Sequence, residues 1–414
     1  MDRTEASPTV VSVAPERVDA VDLAIGLPTV GDGAKLQAAV GIVQEAMTTH
    51  LAGLSAAILH VDAALPDEQV GRIDPVADGI RVMHERPAKM LSSKDGLEVW
   101  SEAVRTVLGA ARTLQARVVI VLNSSMASMT PEWIRGLAQP VLKDGCAFVL
   151  PIYERGRYDG TLTQLFVAPL MRALFGHQFG YPMADEFGCS ADVAEFLLAQ
   201  DIWDTDLARQ GLEFWLPVAV TGGAHLVTQS VLGPRILSSG GTQSPLGSTV
   251  GRVAGSLFSI AERYESSWLD VRGSEPVAVL GTPPAPARRA TNIDPERMLD
   301  GFRQGVRDLT PIWERILSPE SLGDVLVLSE LAASDFRLGD RLWARIVYDY
   351  LLAYRARVMY RSHIAQSLAP LYLGCTASLV LETRSGPDTA AVQATERLAR
   401  VFEDEKPYLV DRWR

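Results

Sequence analysis

The sequence predicts an α/β domain built on a parallel sheet, followed by an all-helical C-terminal domain. Val118 to Leu122 (VVIVL) is an unbroken apolar run with four β-branched residues, the pattern of a strand buried on both faces. Before residue 270, short apolar runs alternate with stretches of helical spacing. Beyond a Pro-, Ala- and Gly-rich segment, Gly273 to Asn292, apolar residues recur only at three-to-four spacing.

The first 18 residues carry charge and no apolar run, and are expected to be a flexible tail rather than a secretory signal. Val21 to Leu27 is a first strand, ended by Pro28-Thr29, and Lys35 to Leu51 is a helix. Ser55 to Val61 is a second strand, so the chain opens as a β-α-β unit with a right-handed crossover. Ile80 to His84 reads as a short strand, Pro87 to Gly96 as a loop, and Leu97 to Leu114 as the helix leading into the central strand. After Leu122 come Asn123-Ser124-Ser125, small and turn-forming. Thr130 and Pro131 then mark a helix start that runs to about Leu142.

Ala147 to Ile152 is a strand, Leu162 to Phe175 a long apolar helix, and Tyr181 to Ser190 (YPMADEFGCS) a loop with adjacent carboxylates. Ala191 to Ala199 and Trp203 to Trp215 are helical, Ala224 to Leu232 is strand-like, and Val250 to Trp268 is helical. The expected divisions are a tail at 1–18, an α/β domain at 19–270 and a linker at 271–292. A helical domain at 293–383 and a C-terminal helix or tail at 384–414 follow.

The 414 residues are 47% hydrophobic and 21% charged, with a net charge of −11. That balance suits a globular protein and argues against nucleic acid or an anionic membrane surface as partner. Arg341 to His363 holds five Arg and four Tyr, but its spacing reads as a helix packed on the first domain rather than a nucleic-acid stripe. No apolar stretch is long enough and uninterrupted enough to be read as a membrane span. Cys146, Cys189 and Cys375 are far apart, as expected of free thiols in a reduced cytoplasmic compartment. A small-molecule substrate is the expected partner, with self-association into a homo-oligomer left open.

Several stretches, in order between about Asp22 and Leu381, resemble retaining glycosyltransferases of the GT-A fold, the Rossmann-like nucleotide-diphospho-sugar transferase fold. The resemblance is to the mannosylglycerate synthase and glucosyl-3-phosphoglycerate synthase group. The stretches are IGLPT, SSKDGL, VVIVLNSSMASMTPEWI, YERGRYDGTLTQLFVAPLMRALFG, YPMADEFGCS, WDTDLARQGLEFW and LAPLYLGCTAS. The resemblance implies a nucleotide-sugar site on the first half of the sheet. Pro28 and Thr29 would contact the base, and Ser93-Lys94-Asp95 would lie near the donor. Asn123 and Ser125, with Tyr158 and Asp159 from the YDG stretch, complete the implied donor side.

The resemblance also implies a metal that this chain is expected to lack. The Asp-x-Asp turn of the group, whose carboxylates would hold Mg²⁺ or Mn²⁺ against the diphosphate, is Asn123-Ser124-Ser125 here. The metal-binding His expected after Leu232-Gly233-Pro234-Arg235 is replaced by Ile236-Leu237. A Gly-Lys-Gly loop keeps only Lys94, a paired Gly is Ala184-Asp185, and Leu-Gly-Arg is Leu373-Gly374-Cys375. Neutral Asn and Ser oxygens bind hard divalent cations poorly. The expected cofactor list is therefore empty, apart from a nucleotide-sugar donor.

The candidate catalytic residues are carboxylates. Asp185 and Glu186 are adjacent, and Glu186 stands at the acceptor-side acid of the resemblance. Asp206 and Glu213 lie seven apart, which puts them on one face if the stretch is helical. Two functions follow. One is metal-independent transfer from a nucleotide-sugar or related activated donor to a small acceptor, with Lys94, Arg155, Arg157 or Arg235 neutralising the leaving group. The other is a repurposed or pseudo-glycosyltransferase, its pocket kept for other chemistry or for partner binding.

Overall fold

A computed structural model describes residues 20–29, 33–62, 76–85, 97–123, 126–236, 245–282 and 293–414. The expected N-terminal tail, Lys94 and Ser125 fall outside them.

Ten strands are described: β1 (Leu23–Thr29), β2 (Ala56–Asp62), β3 (Ile80–Glu85), β4 (Val118–Val121), β5 (Phe148–Glu154), β6 (His177–Gln178), β7 (Phe187–Ser190), β8 (Val227–Pro234), β9 (Glu275–Pro276) and β10 (Val279–Leu280). Eight of them form one sheet in the order β10-β8-β5-β7-β4-β1-β2-β3, and β6 pairs with β9. Every pairing in the large sheet is parallel except those of β7, which runs antiparallel between β4 and β5. The amino end of β7 therefore lies at the edge where the parallel strands end, the edge at which α/β sheets bind ligands.

The first part carries helices α1 (Gly33–Thr49), α2 (Leu97–Thr113), α3 (Pro131–Lys143), α4 (Ala168–Phe175), α5 (Ala191–Leu198), α6 (Asp206–Gly222), α7 (Leu246–Arg263) and α8 (Glu265–Trp268). The alternation of side chains along the strands decides which face each helix covers. Leu23, Ile25, Leu27, Val118 and Ile120 pack with Val40 and Val43 of α1 and Trp133 and Leu137 of α3. Ala24, Val119 and Val121 face the opposite way, into a core with Val104 and Val107 of α2 and Leu212 of α6. The central strand is buried on both faces, as its unbroken apolar run predicts.

Helices α9 (Pro295–Trp313), α10 (Pro319–Ser329), α11 (Asp340–Ala356), α12 (Arg361–Ser367), α13 (Ala369–Thr383) and α14 (Ala390–Trp413) make up the remainder. The α/β part with a helical part after it is the architecture expected from the sequence. The second core runs on without a break into the helical part, through Phe302, Trp343, Tyr348 and Phe402. Trp343 Nε1 donates to Leu165 O at 2.7 Å, and Arg172 on α4 meets Glu396 and Glu403 of α14 at 3.0 and 3.1 Å. The Arg-rich stretch is thus packed as most of α11 and the start of α12: Arg345 pairs with Glu405 and Arg355 with Glu265.

Three local readings change. The loop expected at Tyr181 to Ser190 contains β7. Gly188 makes room for it, since a Cβ there would stand 2.3 Å from Leu137 O. The apolar helix expected from Leu162 begins as a π-turn, Thr163–Val167, a form common near functional sites. The stretch expected as a linker opens with β9 and β10, and β10 extends the large sheet beside β8. One described run, Arg361–Thr383, is long and apolar enough to cross a bilayer, and 83% of its most apolar window is buried inside the fold.

Candidate functional site

Three strand ends converge at the carboxyl edge. Val121 of β4 is opposite Phe187 of β7, so Glu186 falls beside the end of the central strand, where Leu122 and Asn123 follow it. Tyr153, near the end of β5, is opposite Gly233 of β8, and Arg235 follows that strand by one residue. Neighbouring strands thus deliver Tyr153, Glu186 and Arg235 to one place, together with Tyr181 and Asp185 from the segment before β7.

Glu186 is fully buried. Tyr153 Oη donates to its Oε2, while Oε1 has no partner among the described residues. Burial first, and the charge of Asp185 second, push its carboxyl up to about 7, against the opposing pull of Arg235 and the Tyr153 hydroxyl. Arg235 Nη2 donates to Asp185 Oδ2 at 2.8 Å, and Tyr181 Oη donates to the same oxygen at 2.6 Å. The guanidinium lies 5.6 Å from the ring centre of Tyr153 and 5.9 Å from that of Tyr181. Arg155 stands over the Tyr181 ring at 4.5 Å, a cation–π distance. Burial raises the pKa of both tyrosines, and the carboxylates beside them add to it, so both hydroxyls stay protonated donors.

Glu213 braces this cluster from α6. Its backbone oxygen accepts from Ala184 N at 2.8 Å, and its Oε1 accepts from Arg252 Nη1 at 2.7 Å. Burial raises its carboxyl, Arg252 opposes that, and Asp185 adds to it. Three buried polar atoms lack a protein partner here among the described residues: Glu186 Oε1, Arg235 Nε and Trp133 Nε1. The Trp133 ring lies 5.3 Å from that of Tyr153, tilted by 46°. Buried polar groups are nearly always bonded, so these atoms ask for water or a ligand.

The candidate residues do not all meet. Asp206 and Glu213 do not share a face, because Gly211 adopts φ −150° and ψ 26° and kinks α6 between them. The Asp206 side chain is 89% exposed and pairs with Arg209, whereas that of Glu213 is 6% exposed and pairs with Arg252. Pro28 and Asn123 follow the paired residues Gly26 and Val121 on adjacent strands, so both reach the carboxyl edge. Thr29 ends β1. Tyr158 lies against the helical part, its hydroxyl 3.0 Å from Thr383 Oγ1. Asp159 accepts from Gly156 N at 2.8 Å within its own turn. Arg157 is held by the carbonyls of Thr383 and Gly386. Lys94 and Ser125 lie outside the described residues.

Tyr153, Tyr181, Trp133 and Arg252 were not among the candidates. The available signal was positional: Tyr153 and Arg235 sit at the carboxyl ends of consecutive parallel strands, where ligand contacts concentrate.

Among the described residues, no group of three or more His, Cys, Asp or Glu side chains could hold a metal ion. Asn123 offers a neutral oxygen, and Asp185, a partly buried carboxylate, already faces a guanidinium at 2.8 Å. A second cation there would meet that positive charge at close range.

No protein-family model and no curated protein matches the chain. Solved structures do share part of its trace. Glucosyl-3-phosphoglycerate synthase from Mycobacterium tuberculosis, in complex with phosphoglyceric acid, is 20% identical, with a TM-score of 0.44 over 59% of this chain and 80% of that one. Mannosyl-3-phosphoglycerate synthase from Rubrobacter xylanophilus is 16% identical, with a TM-score of 0.38 over 61% and 77%. A nucleotide-diphospho-sugar transferase from Desulfovibrio desulfuricans G20, so described, is 10% identical, with a TM-score of 0.29 over 53% and 83%.

Proposed function

We propose that the carboxyl-edge cluster carries out metal-independent transfer from a nucleotide-sugar or related activated donor to a small acceptor. The observation that carries this reading is Arg235, fixed to Asp185 at 2.8 Å over two tyrosine rings and beside the buried Glu186. A guanidinium preorganised at a sheet edge can face the phosphates of a departing nucleotide, which is the task otherwise given to a cation. Arg155, over Tyr181, would be a second such charge. Lys94, three residues before α2 in sequence, would be a third.

The carboxylates then divide the work. Asp185 orients Arg235. Glu186, with its carboxyl near 7, is poised to exchange a proton with an acceptor hydroxyl at neutral pH. Glu213 acts as a brace, holding Ala184 and hence the segment that carries both acids. Pro28 and Thr29 at the end of β1, with Asn123 two residues after β4, would line the nucleotide side.

One observation favours the second reading, a repurposed pocket without transfer. Glu186 has no exposed surface, so it touches a substrate only if its surroundings open. A calorimetric screen of UDP-, GDP- and ADP-sugars, each with Mn²⁺ and with EDTA, separates the two. The transferase reading expects binding and slow release of the nucleoside diphosphate, equal under both conditions and lost in Arg235→Gln. No binding of any donor, or binding only with Mn²⁺, would sink it.

A further inference from the structure

We propose that the cavity between α6, α7, α11 and α12 is a binding site for a small multivalent oxyanion, a phosphate ester or polycarboxylate. It adjoins the carboxyl-edge cluster through Arg252, whose Nη1 meets Glu213 at 2.7 Å, and it goes beyond the transfer reading. The cavity measures about 750 Å³, room for a small metabolite, and is bounded by both parts of the chain. Its charged lining is Arg209, Arg252 and Arg361 against a single carboxylate, Asp206.

Each arginine has donors to spare. Arg361 gives Nη2 to both oxygens of Glu262, at 2.6 and 2.7 Å, and its buried Nε has no partner among the described residues. Its guanidinium stands 4.5 Å from the Tyr354 ring centre, a cation–π distance. Among the described residues, the hydrogen bonds of Arg252 all leave from Nη1, to Gln210 O and Glu213 Oε1. Arg209 is held by an exposed pair with Asp206, the kind that an incoming anion displaces at little cost.

The backbone adds to the field. Thr205 and Asp206 open α6, and Ser248 and Thr249 lie in the first turn of α7, so the amino ends of two long helices border the same space. Positive helix ends and forked guanidinium donors are the usual recipe for phosphate and carboxylate recognition. Ser256, Ser259 and Tyr354 also line the cavity, with the Ser256 hydroxyl bonded to Gln210 O at 3.2 Å and those of Ser259 and Tyr354 to each other at 3.0 Å. Gly255 keeps the wall open, for a Cβ there would meet only Tyr354 Oη at 3.9 Å.

The test is calorimetric titration of the full chain with inorganic pyrophosphate and, separately, citrate. At least one probe should bind with a dissociation constant below about 1 mM. Arg361→Gln and Arg209→Gln should each weaken it about tenfold, and Arg235→Gln should not. Arg361 also ties α12 to α7 through Glu262, so Ser362→Glu is the second variant: exposed, fold-neutral and placing a like charge in the cavity. It should abolish binding while leaving the melting temperature unchanged. Pyrophosphate alone binding would mark a phosphate-ester site, and citrate alone a polycarboxylate site. The proposal is overturned if neither probe binds by about 10 mM, or if Arg235→Gln removes the heat while Ser362→Glu leaves it intact.

Discussion

Arg235 and Asp185, fifty residues apart, meet at 2.8 Å through Nη2 and Oδ2, and the same carboxylate oxygen takes the Tyr181 hydroxyl at 2.6 Å. This contact joins the end of β8 to the segment before β7. It also stands between two carboxylates, since Glu186 is the next residue. Arg235→Met should therefore destabilise the fold by about 2 kcal/mol, because it strands a partly buried Asp185 beside Glu186. Asp185→Asn in that background should recover part of the loss. Urea unfolding of the four members of this cycle gives the coupling, and additive effects would show that the pair carries no mutual stabilisation.

Glu186 gives a pH signature. Its carboxyl is raised by burial to about 7, so the folded chain keeps a proton that the unfolded chain releases near pH 4. Between these values the folded state binds more protons, and stability falls as pH rises. The contribution is fully favourable below the unfolded value and is lost by about pH 7, a swing of roughly 3 kcal/mol. Glu186→Gln should flatten this slope: the variant is about as stable as the parent at pH 5 and more stable at pH 8. Melting curves across that range check it, and parallel slopes for the two proteins would contradict it.

Gly211 sets the kink that parts Asp206 from Glu213. A Cβ at this position would come 2.5 Å from Ser256 Cβ. Gly211→Ala should cost about 2 kcal/mol by overpacking, and Ser256→Gly should relieve most of it in the double variant. Denaturant midpoints measure both.

Tyr158 binds Thr383 of the helical part rather than reaching the carboxyl edge. Tyr158→Phe should lower stability by about 1 kcal/mol, the worth of one hydrogen bond. Donor affinity in the screen should not change. A large loss of affinity with unchanged stability would return Tyr158 to the donor side.

Lys94 tests the donor side from the other direction. An ammonium at about 4 Å from a phosphate oxygen is worth up to about 4 kcal/mol at an effective dielectric near 20. Lys94→Ala should cost transfer roughly thirtyfold in rate, about 2 kcal/mol. Unchanged donor affinity and unchanged rate would remove the lysine from the site.

The sequence by itself determined the architecture. Side-chain periodicity is a local property: VVIVL can be buried only on two faces, and the three-to-four spacing after Asn292 can form only helices with an apolar stripe. It also marked Asp185 and Glu186 as adjacent carboxylates in a loop, and Arg235 as one of the charges that could face a leaving group. What it could not carry were relations set by distant chain. β7 is four residues long and pairs antiparallel because β4 and β5 leave a gap that fits it and Gly188 lets Leu137 O approach. The seven-residue spacing of Asp206 and Glu213 suggested one face, and packing against Ser256 at Gly211 undid it. Arg252, unremarkable within its own helix, gained meaning only by meeting Glu213, 39 residues away, at 2.7 Å. Local pattern decides which way a side chain faces; only the closed tertiary structure decides what it meets there, because burial and pairing of charge are settled by the sum of long-range contacts.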